Sequence, residues 1–151
     1  MKKRLILFVL SLTTLSCVST KSTLQNVDDK APTPQLDKAK NAFVLTSISK
    51  DAQYGYDADY PINVFYQNTA QIELNQKRFL NALAGPKGEV ISYKKVDQCC
   101  PFPTKRTEMG AGSLDIYEIT WPGQKTPLKL YLNGYEKGAL LVPMGLTLKK
   151  E

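Results

Sequence analysis

The sequence contains no histidine among its 151 residues. This absence excludes Ser-His-Asp and Cys-His catalytic arrangements, histidine general bases and metal sites built on imidazole, because each of them requires that ring. Cysteine is scarce as well, with three residues. The chain therefore lacks the functional groups on which most hydrolases and zinc proteins depend. We expect it not to be an enzyme.

The chain also lacks an apolar run long enough to cross a membrane. Its first residues are basic, at Lys2, Lys3 and Arg4, and a short apolar segment follows. A helix over residues 5–15 would be about 16 Å long, roughly half of the ~30 Å hydrocarbon core. A basic start followed by a short apolar segment is typical of a secretory signal peptide, which we assign to residues 1–16.

The signal peptide ends in Thr14, Leu15, Ser16 and Cys17. These residues resemble the lipobox of bacterial lipoproteins, although Thr14 stands where leucine is usual. The resemblance implies that Cys17 becomes the new N-terminus and carries a diacylglyceryl thioether and an N-acyl chain, which together make a stable anchor. The alternative is an ordinary signal peptide cleaved near Thr20, which would leave a soluble periplasmic or secreted protein.

The residues after Cys17 bear on where the anchored protein resides. By resemblance to lipoprotein sorting rules, Asp directly after the lipidated cysteine retains a protein in the inner membrane. Here that residue is Val18, and no acidic residue precedes Asp28. We therefore expect a protein anchored in the outer membrane, on its periplasmic face.

Charge argues against nucleic acid as a partner. Removal of the signal peptide lowers the formal charge from +6 to +3, with 17 basic and 14 acidic residues remaining. A polyanion-binding surface needs clustered basic residues. The basic residues here form short pairs in separate segments, namely Lys94-Lys95, Lys105-Arg106 and Lys149-Lys150. We interpret them as solvated surface.

Residues 17–40 are predicted to be the lipidated cysteine and a flexible tether. Residues 18–40 are rich in Ser, Thr, Asp, Lys and Pro, contain no aromatic residue and show no apolar period, so they have too little apolar surface to fold alone. A coil of this length would span on the order of 25–30 Å. At most, a short helix over residues 35–40 is expected.

Residues 41–151 are predicted to form a single domain, because about 110 residues suffice for one core. Apolar residues recur at helical spacing over residues 72–83, before Gly85 and Pro86. Apolar and polar residues alternate clearly in a hairpin over residues 114–135. Other short strands are expected at 42–45, 62–66, 90–96 and 146–148, with an irregular segment at 97–113. This order predicts an α+β fold, with a small, mainly antiparallel sheet and one covering helix.

Cys99 and Cys100 are the only thiols left once Cys17 is lipidated. In an exported chain they can close a vicinal disulfide, a strained and readily reduced ring. Reduced, they would offer two ligands to Cu(I) or a similar soft ion, or pair across a dimer. The structural alternative is that they pack in the core or brace the loop before Pro101. Two thiols do not make a zinc site, and no metal is assigned.

Aromatic and acidic side chains give two further hypotheses. The candidates for a binding face are Tyr54, Tyr56, Tyr60 and Phe102, since aromatic residues supply contact area for recognition, although such residues are also commonly just packed. An enzymatic alternative would need Asp57, Asp59 and Asp115 to converge in a pocket. Asp51, Asp57 and Asp59 supply too few oxygens for Ca²⁺.

Several short motifs over residues 52–148 recur in order in a known family. They are Tyr54-Gly55-Tyr56, Asn63-Val64, Phe79-Leu80-Asn81-Ala82-Leu83, Gly85-Pro86-Lys87-Gly88, Cys99-Cys100-Pro101-Phe102, Leu114-Asp115-Ile116-Tyr117 and Leu130-Tyr131-Leu132-Asn133. The chain thereby resembles small Bacteroidota lipoproteins without an assigned activity. That family sometimes carries a sugar-acid phosphate aldolase label, which implies a (β/α)₈ barrel of about 250 residues. A one-core domain cannot supply such a barrel.

We therefore expect a non-catalytic binding or accessory module without a cofactor. It would be held in the membrane by its lipid anchor and would dock on an outer-membrane or periplasmic protein through a sheet face or the 97–113 segment. The alternative function is that of a thiol-redox or soft-metal lipoprotein using Cys99 and Cys100.

Overall fold

A computed structural model describes residues 22–66 and 71–150. The predicted signal peptide and lipidation site, Cys17, lie outside the described residues. Within the described part, the regular secondary structure is mostly strand, with one short helix. The elements in chain order are β1 Leu36–Asp37, β2 Ala42–Phe43, β3 Ile62–Asn63, α1 Ile72–Leu80, β4 Leu83–Ala84, β5 Ser92–Pro103, β6 Ala111–Thr120, β7 Leu128–Asn133 and β8 Thr147–Leu148.

The main sheet has four strands in the order β3-β7-β6-β5. Strands β5, β6 and β7 pair antiparallel, whereas β3 pairs parallel to β7 through Ile62 opposite Leu132. The predicted mainly antiparallel sheet is thus only partly right, because this sheet is mixed. Alternation in the sequence reports which face a side chain occupies and carries no information on strand direction. Two small antiparallel sheets, β1-β2 and β4-β8, flank it.

The predicted hairpin is confirmed as β6 and β7. Leu130 and Leu132 are fully buried in β7, whereas Tyr131 between them is half-buried and Lys129 before them is exposed. This alternation fixes the register, since a slip of one residue would turn the leucines to solvent. The same core includes Tyr54 and Ile119, both fully buried.

Helix α1 ends three residues earlier than the predicted span of 72–83. Its last residues, Phe79 and Leu80, are fully buried in the core. Leu83 and Ala84 leave the helix because they pair with Leu148 and Thr147 as strand β4. Gln76 of α1 donates to Asp115 and accepts from Tyr117, so the helix covers the β6 part of the sheet.

The segment 97–113 is largely regular, contrary to the prediction of an irregular segment. Strand β5 continues to Pro103 and β6 begins at Ala111, so only residues 104–110 form a loop between them. Register shifts between Lys95 and Asp97 and between Cys99 and Phe102 break the alternation. Such β-bulges hide a strand from a period-two search.

The tether prediction does not hold for residues 22–40. The backbone N–H groups of Gln25 and Asp28 donate to the carbonyls of Asp59 and Lys137, at 2.8 and 2.7 Å. The side-chain amide of buried Asn63 donates to the carbonyls of Gln25 and Asn26. Strand β1 occupies part of the predicted 35–40 helix and pairs with β2. Composition missed this segment because it is held mainly by hydrogen bonds to the domain.

Candidate functional site

Strand β5 is the edge strand of the main sheet and contributes little to the core. Of its 12 residues, Phe102 alone is buried, whereas the ten-residue β6 beside it buries six. Among the described residues, β5 pairs with β6 only, so its outer backbone edge has no strand partner there. A long ordered strand with so little buried surface is a candidate for contact with another molecule.

Cys99 and Cys100 form a vicinal disulfide in this strand. The structure therefore supports the predicted disulfide, with the Cα atoms 3.7 Å apart. The pair lies within the register shift between Cys99 and Phe102. Cys99 is half-buried and Cys100 exposed, so the bond lies at the surface and not in the core.

The backbone at Cys100 is held in the left-handed region, with φ of 58°. A side chain with a Cβ enters this region at a cost of about 1–2 kcal/mol. The ring formed by the adjacent cysteines and the surrounding bulge hold it there. A thiolate that reaches this exposed bond can open the ring by thiol–disulfide exchange, after which Cys100 is no longer confined by the ring.

A buried polar network lies beside the disulfide, on the face covered by α1. Asp115 is 5% exposed and sits opposite Gln98 in the β5–β6 ladder. Its carboxylate accepts hydrogen bonds from Gln76 at 2.8 Å and from Gln98 at 3.2 Å, and it lies 2.7 Å from the Lys95 ammonium. A buried charge is tolerated only when it is paired and hydrogen-bonded, and these partners meet that need.

Tyr117 extends this network. Its hydroxyl donates to the Gln76 side-chain carbonyl at 2.9 Å. Burial raises the pKa of Tyr117 well above its usual range, and the negative charge of Asp115 adds to the shift. Tyr117 therefore stays a neutral donor at any physiological pH. The network fixes the position of α1 on β6. Its polar groups bind one another.

The predicted aromatic binding face is not a single exposed surface. Tyr54 is fully buried and Phe102 is 5% exposed, so neither offers contact area, and this part of the prediction is wrong. Tyr54 packs edge-to-face on Tyr60 in the core, and Phe102 packs on Tyr135. Tyr56 and Tyr60 are half-buried, and the Tyr56 hydroxyl donates to the Met144 carbonyl.

The acidic residues proposed for catalysis are engaged separately. Asp57 accepts from the backbone N–H of Asp59 at 2.8 Å, as Asp51 does from that of Gln53. These are turn-stabilising contacts in an Asx geometry. Asp115 lies in its own network on β6. No group of three or more His, Cys, Asp or Glu side chains suited to a metal ion occurs in residues 22–66 and 71–150.

A second feature, unforeseen in the sequence, is the loop over residues 104–110. Arg106 of this loop forms an ion pair with Asp29 of the N-terminal segment, and its guanidinium lies 4.5 Å above the Phe65 ring. Its Nε is buried and lies 3.8 Å from the Glu136 carboxylate, too far for a hydrogen bond. An open cleft of about 520 Å³ borders Arg106 and is also lined by Ser22, Lys105 and Gly110.

Comparison with known proteins adds no relative to this description. No protein-family model matches the chain. No curated protein and no solved structure matches it either. The resemblance to small Bacteroidota lipoproteins therefore stays a prediction from the sequence. Within the described residues, no helix has the length and apolar character needed to span a membrane.

The sequence located the disulfide but missed the groups around it. The signal for the Asp115 network was weak: Gln76 falls on the helical face that carries Phe79 and Leu80, a polar residue at an inward position. Nothing in the sequence linked Arg106 to Asp29, since 77 residues separate them. Such contacts arise from the fold and not from local pattern.

Proposed function

We propose that this protein is an outer-membrane-anchored lipoprotein on the periplasmic face. Its domain serves as a non-catalytic accessory module that binds a protein partner through strand β5. The lipobox-like residues before Cys17 and the absence of Asp at position 18 support the anchor and its location. The docking surface rests on the geometry of β5.

The observation that carries the proposal is the exposure of β5 along its length. The strand is ordered by its pairing with β6 and by Lys95 and Gln98, which reach Asp115. Its outer edge still presents backbone groups to the solvent side. An extended segment of a partner can add to such an edge through main-chain hydrogen bonds.

The same strand carries features that discourage pairing with copies of itself. Lys94 is exposed on it, and Pro101 and Pro103 lack the N–H groups that a neighbouring strand needs. The bulge at the disulfide alters the shape of the edge further. Natural edge strands use such devices against indiscriminate pairing. The partner segment must therefore fit residues 92–98, which include the register shift between Lys95 and Asp97 but precede the bulge at the disulfide.

Site-specific photo-crosslinking in the native cell envelope tests this proposal. A photoreactive residue replaces Val96 of β5, which is 40% exposed; the matched control replaces Val44, which is 45% exposed beside β2. We expect a single dominant crosslinked protein from position 96 and none from position 44. Equal products from both positions, or none from position 96, would contradict docking through β5.

The disulfide favours a second candidate function, exchange with a partner dithiol. A thiolate of a dithiol protein attacks one sulfur of the Cys99–Cys100 bond, forms a mixed disulfide and releases the other cysteine as a thiolate. The partner's second thiolate then resolves it, so that the partner is oxidised and the Cys99–Cys100 pair gains two electrons and two protons. The reduced pair would offer two thiolates to Cu(I).

Replacement of both Cys99 and Cys100 by serine tests this second function. If the pair acts in exchange or binds Cu(I), the variant stays folded but loses redox coupling to dithiol proteins or Cu(I) uptake after reduction. A variant that merely unfolds would show a structural role instead. A folded variant with unchanged redox coupling and unchanged Cu(I) uptake would exclude the pair from this function.

A further inference from the structure

Because the N-terminal segment is docked on the domain, a lipid anchor at Cys17 would be joined to the domain by a short link. Ser22 is the first described residue, and the chain from Gln25 onward is bonded to the domain. Only five Cα–Cα steps separate Cys17 from Ser22. At full extension such a link reaches at most about 18 Å. A domain of this size is roughly 35 Å across.

The anchored end of the domain is defined by what surrounds Ser22. Ser22 lines the cleft together with Thr104, Lys105 and Gly110 of the 104–110 loop. Met109 in this loop is 89% exposed, the highest value among the large apolar side chains of the described residues. A short link to the membrane and an exposed apolar side chain are thus found at the same end of the domain.

We propose that the 104–110 loop rests on the phospholipid surface with Met109 at the headgroup boundary. This inference depends on lipidation at Cys17, as proposed above. The short link keeps the loop at a high local concentration beside the bilayer, so that one apolar side chain suffices for contact. The bilayer is therefore the surface that covers Met109.

Charge does not drive this contact. The cleft is lined by two basic residues, Lys105 and Arg106, and two acidic residues, Asp29 and Glu136. Arg106 is paired with both acids. With Glu108, which is exposed beside Met109 in the same loop, these side chains carry a net charge of −1, so the contact should not require anionic lipid, in contrast to a polybasic membrane site.

The opposite end of the domain provides internal controls. Strand β5 runs from Ser92, opposite Thr120, to Pro103, opposite Ala111. Twelve residues of strand place these ends roughly 30 Å apart, allowing for the bulges. Val90, 70% exposed, and the single tryptophan, Trp121, lie beyond the Ser92 end. They should stay clear of a bilayer that Met109 touches.

Fluorescence quenching tests the orientation on the acylated full chain, purified from its membranes and bound to phosphatidylcholine vesicles with brominated acyl chains. The wild type reports Trp121, and Met109→Trp and Val90→Trp each add one tryptophan. We expect the signal added at position 109 to be clearly quenched, because a side chain at the acyl boundary lies close to the brominated chains. The signals of Trp121 and of position 90 should be almost unchanged.

Three results would overturn the proposal. Equal quenching at positions 109 and 90 would show that the domain has no fixed orientation on the membrane. No quenching at position 109, on vesicles that carry the protein, would show that the loop is held off the surface. In both cases flotation shows that the anchor itself is intact. A chain that fails to float and has no acyl mass overturns the anchor and the orientation together.

A longer link supplies an independent check. About 20 Gly and Ser residues inserted before Lys21 should lower the quenching at position 109 several-fold, because effective concentration falls as a link lengthens. Flotation should be unaffected. Undiminished quenching would show that the loop does not depend on a short link, and would overturn this part of the proposal.

Discussion

Lys95 of β5 places its ammonium nitrogen 2.7 Å from the Oδ1 atom of Asp115 on β6. The Asp115 side chain is 6% exposed, whereas that of Lys95 is 38% exposed. The pair therefore joins a surface strand to the buried network beneath α1. Together with the backbone pairing to β6, this link holds β5 in place although the strand buries almost none of its own side chains.

Asp115→Asn is expected to destabilise the domain by about 1–3 kcal/mol, the cost of disturbing a buried hydrogen-bonded charge. The substitution keeps the shape of the side chain but sets an amide N–H against a donor, either Gln76 at the Oδ2 position or Lys95 and Gln98 at the Oδ1 position. The matched control is Asp97→Asn on exposed β5, which should change stability by less than about 0.5 kcal/mol. Urea unfolding measures both; equal effects would contradict the role given to the network.

The domain should lose stability at alkaline pH. Burial raises the pKa of Tyr56 from 10.0 to about 12, and it also raises the pKa values of Tyr54, Tyr66 and Tyr117. The unfolded chain releases these protons first, so the stabilisation is complete below pH 10 and is lost as the pH rises through the folded-state values. Unfolding free energy should fall from about pH 10 upward, with a smaller slope in Tyr56→Phe. A flat profile to pH 12 would contradict the burial of these hydroxyls.

Loss of the disulfide should have a small effect on stability. A ring between adjacent residues restrains the unfolded chain little, and chain entropy gives about 1 kcal/mol. Because Cys100 has φ of 58°, Cys99→Ser with Cys100→Gly should be more stable than Cys99→Ser with Cys100→Ala, by about 1 kcal/mol. Thermal unfolding of the two double variants measures this difference. The opposite order would mean that this backbone leaves the left-handed region once the ring is removed.

Local pattern predicted much of the sheet but not its edges. Leu130 and Leu132 identified β7 because one buried face produces strict alternation, and Phe79 identified α1 for the corresponding helical reason. The bulges around Cys99 destroyed that alternation, so half of β5 was predicted to be irregular. Strand β3 has only two residues, Ile62 and Asn63. Its parallel pairing with β7 joins residues that are about 70 positions apart in the sequence, and a local pattern contains no information on such a pairing.

The N-terminal segment shows a different limit of sequence reasoning. Its polar composition correctly indicates that it cannot fold alone, yet Ala31 is 2% exposed and Asn63 binds the carbonyls of Gln25 and Asn26. The domain supplies the partners that the segment lacks. For the candidate site, the same reason hid the pairing of Arg106 with Asp29, while adjacent cysteines were visible in the sequence itself.

Removal of residues 22–40 should therefore destabilise the domain. A chain that begins at Asn41 loses several hydrogen bonds, each worth about 0.5–1.5 kcal/mol, and should be less stable by at least about 2 kcal/mol. A chain that begins at Ser22 should match one that begins at Val18. Urea unfolding of the three soluble forms is the measurement. Equal stability of all three would restore the flexible-tether interpretation.

The intact mass of the protein extracted from its native membranes tests the central claim, a lipid anchor at Cys17, most directly. We expect a chain that begins at Cys17 and carries a diacylglyceryl group and one further acyl chain, and Cys17→Ser should abolish both the modification and the membrane association. An unmodified chain that begins near Val18 to Lys21 and is released without detergent would contradict the anchor and, with it, the orientation of the domain on the membrane.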